Sequence, residues 1–206
     1  MGDEVDAVTA AGADFIHFDV MDNHYVPNLT FGPLLCEALV RERPNSAMDV
    51  HLMVRPVDAL IESFAKAGAK RISIHPEATD HLDRSLQLIV DLGCEAGLAL
   101  NPATPIEVLS WSIHHLSFVL IMTVNPGFGG QKLIPQMLDK IKQLHRRYPK
   151  LNISVDGGVS VDNIATLARA GANQFVAGSA IFHSQNYKLT IDQMRAQLAT
   201  VGTFPC

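Results

Sequence analysis

The stretch "AGADFIHFDVM", residues 11–21, decides how the chain is read. Its opening "AGAD" has the form of a helix end, with glycine just past the last turn where a left-handed backbone is needed. The residues after it alternate. Phe15, His17, Asp19 and Met21 share one face of an extended strand, and Ile16, Phe18 and Val20 share the other. The same punctuation recurs as "AGAK" at 67–70 and "AGAN" at 170–173, each closing a helical segment and preceding a strand-like run.

Outward from that stretch, seven β-rich runs occur in order: "DFIHFDVM" (14–21), "MDVHLMV" (48–54), "RISIHPE" (71–77), "EAGLALN" (95–101), "FVLIMTVN" (118–125), "NISVDGG" (152–158) and "QFVAGSAIF" (174–182). Helical periodicity fills intervals such as "PVDALIESFAKAG", "HLDRSLQLIVDLG" and "IPQMLDKIKQLHRR". Strands alternating with helices imply parallel pairing with crossover helices, in a doubly wound sheet or a (β/α)8 barrel. No G-x-G-x-x-G turn follows an early strand, which favours the barrel. The chain opens on "GDEVDAVTAAG", a helix, so the pattern predicts an α/β TIM (β/α)8-type barrel that lacks its first β-strand.

Composition bounds the rest. A chain of 206 residues, 48% apolar and 18% charged, is long enough for one sizeable core, and we expect a single domain over 1–206. A formal net charge of −5 with no polybasic cluster argues against nucleic acid. The acidic start and the short apolar run "FVLIMTV" give no signal peptide and no membrane span. Cys36, Cys94 and Cys206 are odd in number and lack C-x-x-C spacing, which fits a reducing cytoplasm and no disulfide framework.

The polar groups within the apolar strands carry the chemistry. If the apolar face of the first run packs on helices, His17 and Asp19 point inward, and a buried carboxylate needs a cation or strong hydrogen-bond donors. "MDVHLMV" repeats the theme with His51, and "NISVDGG" ends on Asp156. Each histidine alone reads equally well as a hydrogen-bonded core residue. Two imidazoles and two carboxylates at the ends of three parallel strands are harder to assign to packing, and such a set suits Zn2+, Fe2+, Mn2+ or Co2+. The turns "NPGFGGQ" (Gly127, Gly129, Gly130), "DGG" (Gly157, Gly158) and "AGSAIF" (Gly178, Ser179) read as ordinary turns or as an anion grip. Asp22 and His24 are assigned to a solvated or locally hydrogen-bonded loop, His75, before Pro76 at a strand end where it could line the site, to a structural role, and His114 and His115 to an exposed connection. Met21, Met53 and Met122 suit either core filling or a soft layer over a substrate.

Taken in order, "GADFIHFDVMDNHYVPNLTFGP", "DVHLMV", "HPEAT", "LNPATP", "VLIMTVNPGFGGQKLIP", "VDGGV" and "AGSAIF" resemble the ribulose-phosphate 3-epimerases over about residues 11 to 182. The resemblance implies an isomerase in the form of a (β/α)8 barrel, interconverting D-ribulose 5-phosphate and D-xylulose 5-phosphate with one divalent metal ion per chain. His17, Asp19, His51 and Asp156 then match the metal ligands, and Asp19 and Asp156 the two acid/base residues. By the same resemblance the substrate contacts are His17, His51, Gly127, Phe128, Gly129, Gly130, Asp156, Gly157, Gly158, Gly178 and Ser179. A cytoplasmic homo-oligomer with a small phosphorylated ketose as its partner is the implied setting. The run "APSILSAD" with which family members begin has no counterpart here, so a catalytically impaired barrel that still binds metal or phosphate is the competing expectation. Epimerisation of a related phosphorylated ketohexose is the other.

Overall fold

The computed structural model describes residues 1–202, so Cys206 lies outside the described residues. Seven strands form one parallel sheet in sequence order: β1 (Ile16–Met21), β2 (Met48–Met53), β3 (Arg71–Ile74), β4 (Glu95–Leu100), β5 (Leu116–Met122), β6 (Asn152–Asp156) and β7 (Gln174–Val176). The helices are α1 (Gly2–Ala10), α2 (Pro33–Glu42), α3 (Asp58–Lys66), α4 (Leu82–Asp91), α5 (Met137–Arg147), α6 (Ile164–Ala170), α7 (Ser179–Phe182) and α8 (Tyr187–Ala199). Among the described residues only the β4–β5 connection departs from strand–helix alternation, running through short 3-10 segments at Ile106–Trp111 and Ile113–His115.

The helix ends are built as the glycine punctuation implies. At Gly68 (φ +94°) the amide donates to the Ala65 carbonyl and the next amide to Phe64; Gly171 (φ +116°) repeats this with Ala168 and Leu167. This paired closure satisfies carbonyls that the last turn leaves without helical partners, and only glycine enters the left-handed region at little cost.

The sheet has two differently filled faces. Val50, Leu52, Ile72, Ile74, Leu98, Leu100, Val119, Ile121, Ile153 and Val155 are buried against helix residues such as Ile61, Phe64, Leu86, Ile141 and Leu144, which form the main core. The opposite face encloses Ala99, Phe118, Leu120 and Met122 with Val176 beside them. Gly97 makes room there, since a Cβ at that position would collide with the Phe118 ring. Strands buried on both faces with period-2 partition are what a curled parallel barrel requires.

Among the described residues β1 and β7 are edge strands, each with one strand neighbour. The expected gap lies between them and holds a cavity of about 1120 Å³, lined from one side by Phe15, His17 and Asp19 and from the other by Gln174, Phe175 and Val176. The upper end of the β1 edge is covered by its own loop. Thr30 Oγ1 donates to the Asp19 carbonyl at 2.6 Å and accepts the Met21 amide at 3.0 Å.

Candidate active site

Parallel pairing sets His17 beside Asp49 and Asp19 beside His51. Both pairs face the interior by the period of the strand, so a His-x-Asp on β1 meets an Asp-x-His on β2 and two polar layers result. In the lower layer His17 Nδ1 donates to Asp49 Oδ2 at 2.6 Å, and the same oxygen accepts Arg71 Nη2 at 2.9 Å. Arg71 Nη1 crosses to Gln174 Oε1 at 2.7 Å, and its guanidinium lies 4.1 Å and 4.4 Å from the Phe15 and Phe118 ring centres. That stacking and pairing let a charged side chain stay buried at the base of the site.

In the upper layer Asp19 Oδ1 lies 3.1 Å from His51 Nδ1 and 3.3 Å from His17 Nε2, while Asp156 Oδ2 lies 3.9 Å from His17 Nε2. One ligand atom from each of His17, Asp19, His51 and Asp156 falls within 4.8 Å of the others. Asp156 arrives at the end of β6 opposite Met122, its carbonyl accepting the Thr123 amide at 2.7 Å and the Thr123 hydroxyl at 2.8 Å. His17 Nε2 is buried and makes no hydrogen bond among the described residues, although carboxylate oxygens surround it. A buried imidazole nitrogen without a partner, beside two carboxylates and a second imidazole, fits a divalent cation and is hard to explain by packing.

The electrostatics separate the two carboxylates. Burial pushes Asp156 up, the charge of Asp19 adds to it, and the group reaches about 6 against an ordinary 3.8. Burial also opposes ionisation of Asp19, but hydrogen bonds and charges from His17 and His51 outweigh it and hold this carboxyl well below the usual range. For His17 burial works against the charged form, yet Asp49 and Asp19 raise it well above 6.5. Asp49, despite burial, is drawn down to about 2 by His17 and Arg71. Burial, with the charge of His51 adding, drives His75 well below 6.5.

The glycine loops divide between two surfaces. Gly127, Gly129 and Gly178 line the large cavity with His17 and Asp19. Gly130, Gly158 and Ser179 line a shallower pocket of about 480 Å³ with Lys132, Ser160, Asn163 and His183. Gly157 and Gly158 also have packing reasons to be glycine. A Cβ on Gly157 would strike Val124, and one on Gly158 would fall 2.6 Å from the Leu133 amide nitrogen. Phe128 is exposed at its loop tip.

The remaining residues singled out from the sequence have varied surroundings. Asp22 takes the amides of His24, Tyr25 and Arg55, each at 2.8 Å, and is a loop-holding group. His114 is exposed, but the His115 side chain is only 9% exposed and its Nε2 meets Asp83 at 3.0 Å, so the exposed reading holds for one member of the pair and fails for the other. Met21 and Met53 pack together with Val26 and Tyr25, while Met122 belongs to the interior cluster. Two participants escape sequence reasoning. Asp49 and Arg71 are not singled out by it, although the mirrored spacing of "HFD" and "DVH" is a usable signal. His75, read as structural, has its Nε2 2.8 Å from His51 Nε2.

A curled parallel α/β sheet whose strand ends gather two histidines and two aspartates defines a barrel enzyme with a metal-capable centre. Solved structures share that fold: a 3-hexulose-6-phosphate synthase (TM-score 0.69, 18% identity, 95% of this chain and 92% of that one) and a 3-keto-L-gulonate-6-phosphate decarboxylase from Vibrio cholerae (0.69, 15%, 92% and 99%). The model of the ribulose-phosphate 3 epimerase family matches residues 1–182. A ribulose-phosphate 3-epimerase of Escherichia coli is 53% identical over 206 residues, covering 98% of this chain and 92% of that protein. Ribulose-phosphate 3-epimerase 1 of Cupriavidus necator is 58% identical over 190 residues, covering 88% and 78%. The chain belongs to the ribulose-phosphate 3-epimerase family and is by that membership an isomerase of the epimerase class. No helix among the described residues is long and apolar enough to cross a membrane.

Proposed function

We propose that this chain interconverts D-ribulose 5-phosphate and D-xylulose 5-phosphate by inverting C3, with Asp19 and Asp156 carrying the proton on opposite sides of the substrate. The observation that carries the reading is the pair of strand-end carboxylates, one on β1 and one on β6, that meet His17 and His51 at one centre. Two carboxylates reaching one centre from separate strands can serve as base and acid in turn.

In one direction Asp19, held ionised by His17 and His51, takes the proton from C3 beside the C2 carbonyl. An enediolate forms, and Asp156, carrying a proton only for this step, returns it to the opposite face. In the other direction the two exchange roles. His17, Asp19, His51 and Asp156 are the residues that would hold one Fe2+, Zn2+, Mn2+ or Co2+ ion, which supplies positive charge to stabilise the enediolate oxygens. The loops at 127–130, 157–158 and 178–179 grip the phosphate, so binding energy far from C3 positions the reacting carbon. The whole chain acts as one phosphosugar-binding unit, and a cytoplasmic homo-oligomer belongs to the same proposal.

The test is an NMR time course of D-ribulose 5-phosphate with the protein in D2O, before and after metal stripping and repletion. Deuterium entering C3 as xylulose 5-phosphate forms, only with metal present, is the expected result. Metal or phosphate binding without exchange would instead favour a barrel without turnover. Faster exchange of a phosphorylated ketohexose would move the substrate assignment.

A further inference from the structure

Four groups in the proposed centre face a common point, but the two histidines reach it with different nitrogens. His17 has its Nδ1 occupied by Asp49 at 2.6 Å, and its Nε2 faces Asp19 and Asp156. His51 is reversed. Its Nε2 is occupied by His75 Nε2 at 2.8 Å, and its Nδ1 faces Asp19 at 3.1 Å. Whatever a ligand histidine holds with its second nitrogen fixes both its tautomer and its ring angle.

We propose that Asp49 and His75 are positioning residues that lock His17 and His51 in opposite tautomers, so that Nε2 of the first and Nδ1 of the second are both free for the same metal ion. This rests on the proposed metal centre and deepens it.

The two partners do this by different chemistry. Asp49 is an acceptor only, and Arg71 shares its Oδ2 at 2.9 Å and lies 2.8 Å from its Oδ1 through Nε. The carboxylate is therefore anchored and keeps the His17 proton on Nδ1. His75 is fully buried, with its ring against Tyr25 at 5.0 Å between centres. Contact between two imidazole nitrogens needs one donor and one acceptor. With a cation on His51 Nδ1, the His51 proton sits on Nε2, and His75 must accept through Nε2 and carry its own proton on Nδ1. The buried His75 Nδ1 has no hydrogen-bond partner among the described residues and lies 3.9 Å from Glu77 Oε2, which leaves that proton a nearby carboxylate to face.

The register explains why the two partners differ. Asp49 is the direct neighbour of His17 across β1 and β2, whereas the neighbour of His51 on β3 is Ser73, and His75 reaches back from just past the strand's end. A carboxylate therefore orients one ligand and a neutral imidazole the other.

The experiment is long-range 1H–15N correlation on the zinc-loaded, 15N-histidine-labelled protein, with Zn2+ affinity measured by competition against a chromophoric chelator. His17 should show its proton on Nδ1, His51 on Nε2 and His75 on Nδ1. Asp49→Asn, which removes charge but little shape, should weaken Zn2+ binding about 10- to 100-fold. His75→Phe should weaken it about tenfold or more, and His75→Gln, which can still accept a hydrogen bond, should recover most of the loss. If the wild-type protein takes up no Zn2+, the metal centre itself is wrong and this inference goes with it. If it takes up Zn2+ but both ligand histidines share one tautomer, or if Asp49→Asn and His75→Phe bind within about twofold of wild type, the positioning roles alone are overturned. The wild-type spectrum decides even where a variant fails to fold.

Discussion

Replacing Asp156 with asparagine should make the metal-stripped protein more stable while abolishing turnover. Only 17% of the Asp156 side chain is exposed, and burial together with the neighbouring charge of Asp19 raises it from an ordinary 3.8 to about 6. The folded chain thus holds this proton more tightly than the unfolded chain does. Stability from the group is complete below the unfolded value and is lost as pH rises through about 6. At about 1.4 kcal/mol for each tenfold change, the ionised group costs on the order of 3 kcal/mol near pH ~8. At pH ~5 about half of that cost is present, and at pH ~4 little remains. Asparagine keeps the shape and removes the charge, so urea unfolding of metal-stripped Asp156→Asn against wild type should show a stability gain of about 2–3 kcal/mol near pH ~8 that shrinks towards pH ~4. Added Zn2+ should then narrow the gap, because the proposed centre would offer it two carboxylates in the wild type and one in the variant. A variant no more stable than wild type at pH ~8, or a gap that does not change with pH, would refute the claim that the site is held against the stability of the fold.

Other positions test the scaffold. Gly158→Ala adds a Cβ 2.6 Å from the Leu133 amide nitrogen and 2.9 Å from the Gln131 carbonyl at a φ of +67°; it should cost about 2–3 kcal/mol in urea unfolding, and a loss below about 0.5 kcal/mol would deny the close approach of the two loops. Phe64→Ala empties a fully buried position in the main core and should cost about 3–5 kcal/mol by the same assay. Lys140 Nζ donates to the carbonyls of Asn101, Pro102 and Thr104 at 2.7–2.8 Å. Lys140→Met should lower stability by about 2 kcal/mol and speed hydrogen exchange in the β4–β5 connection, leaving the β1–β2 pair unaffected.

The parts of this molecule governed by short-range periods were legible in the sequence. Strand alternation put His17 and Asp19 on one face, and "AGAK" and "AGAN" marked helix ends whose glycines do adopt positive φ. The β4–β5 connection was not legible as an exception, since "IEVLSWSIHHL" carries apolar residues without marking the 3-10 turns that replace a helix. Asp49 escaped for a different reason. Its period places it inside, but its partner is set by the pairing of His17 with Asp49, a register between strands 32 residues apart. Arg71 only opens the run "RISIHPE" in the sequence, and the fold shows it 4% exposed between Phe15 and Phe118 with Asp49 as counter-ion. The split of the glycines between two pockets depends likewise on where loops meet in space.

That register ties the site to the core. On β1 and β2 the residues between the polar ones are Phe18 and Val20, opposite Val50 and Leu52, all buried against the helices. Because side chains alternate at every step, a slip of β2 by one residue would send Val50 and Leu52 inward and expel Asp49 and His51 onto the helix-facing side. Burying two branched apolar residues there, at about 1.5–3 kcal/mol each, therefore holds the polar layers in place as well. The pairing of His17 with Asp49 and of Asp19 with His51 is thereby protected against a slip by one residue. The mirrored His-x-Asp and Asp-x-His are thus positioned by the same residues that stabilise the sheet, so the geometry of the proposed centre is specified by packing on the face that never touches it.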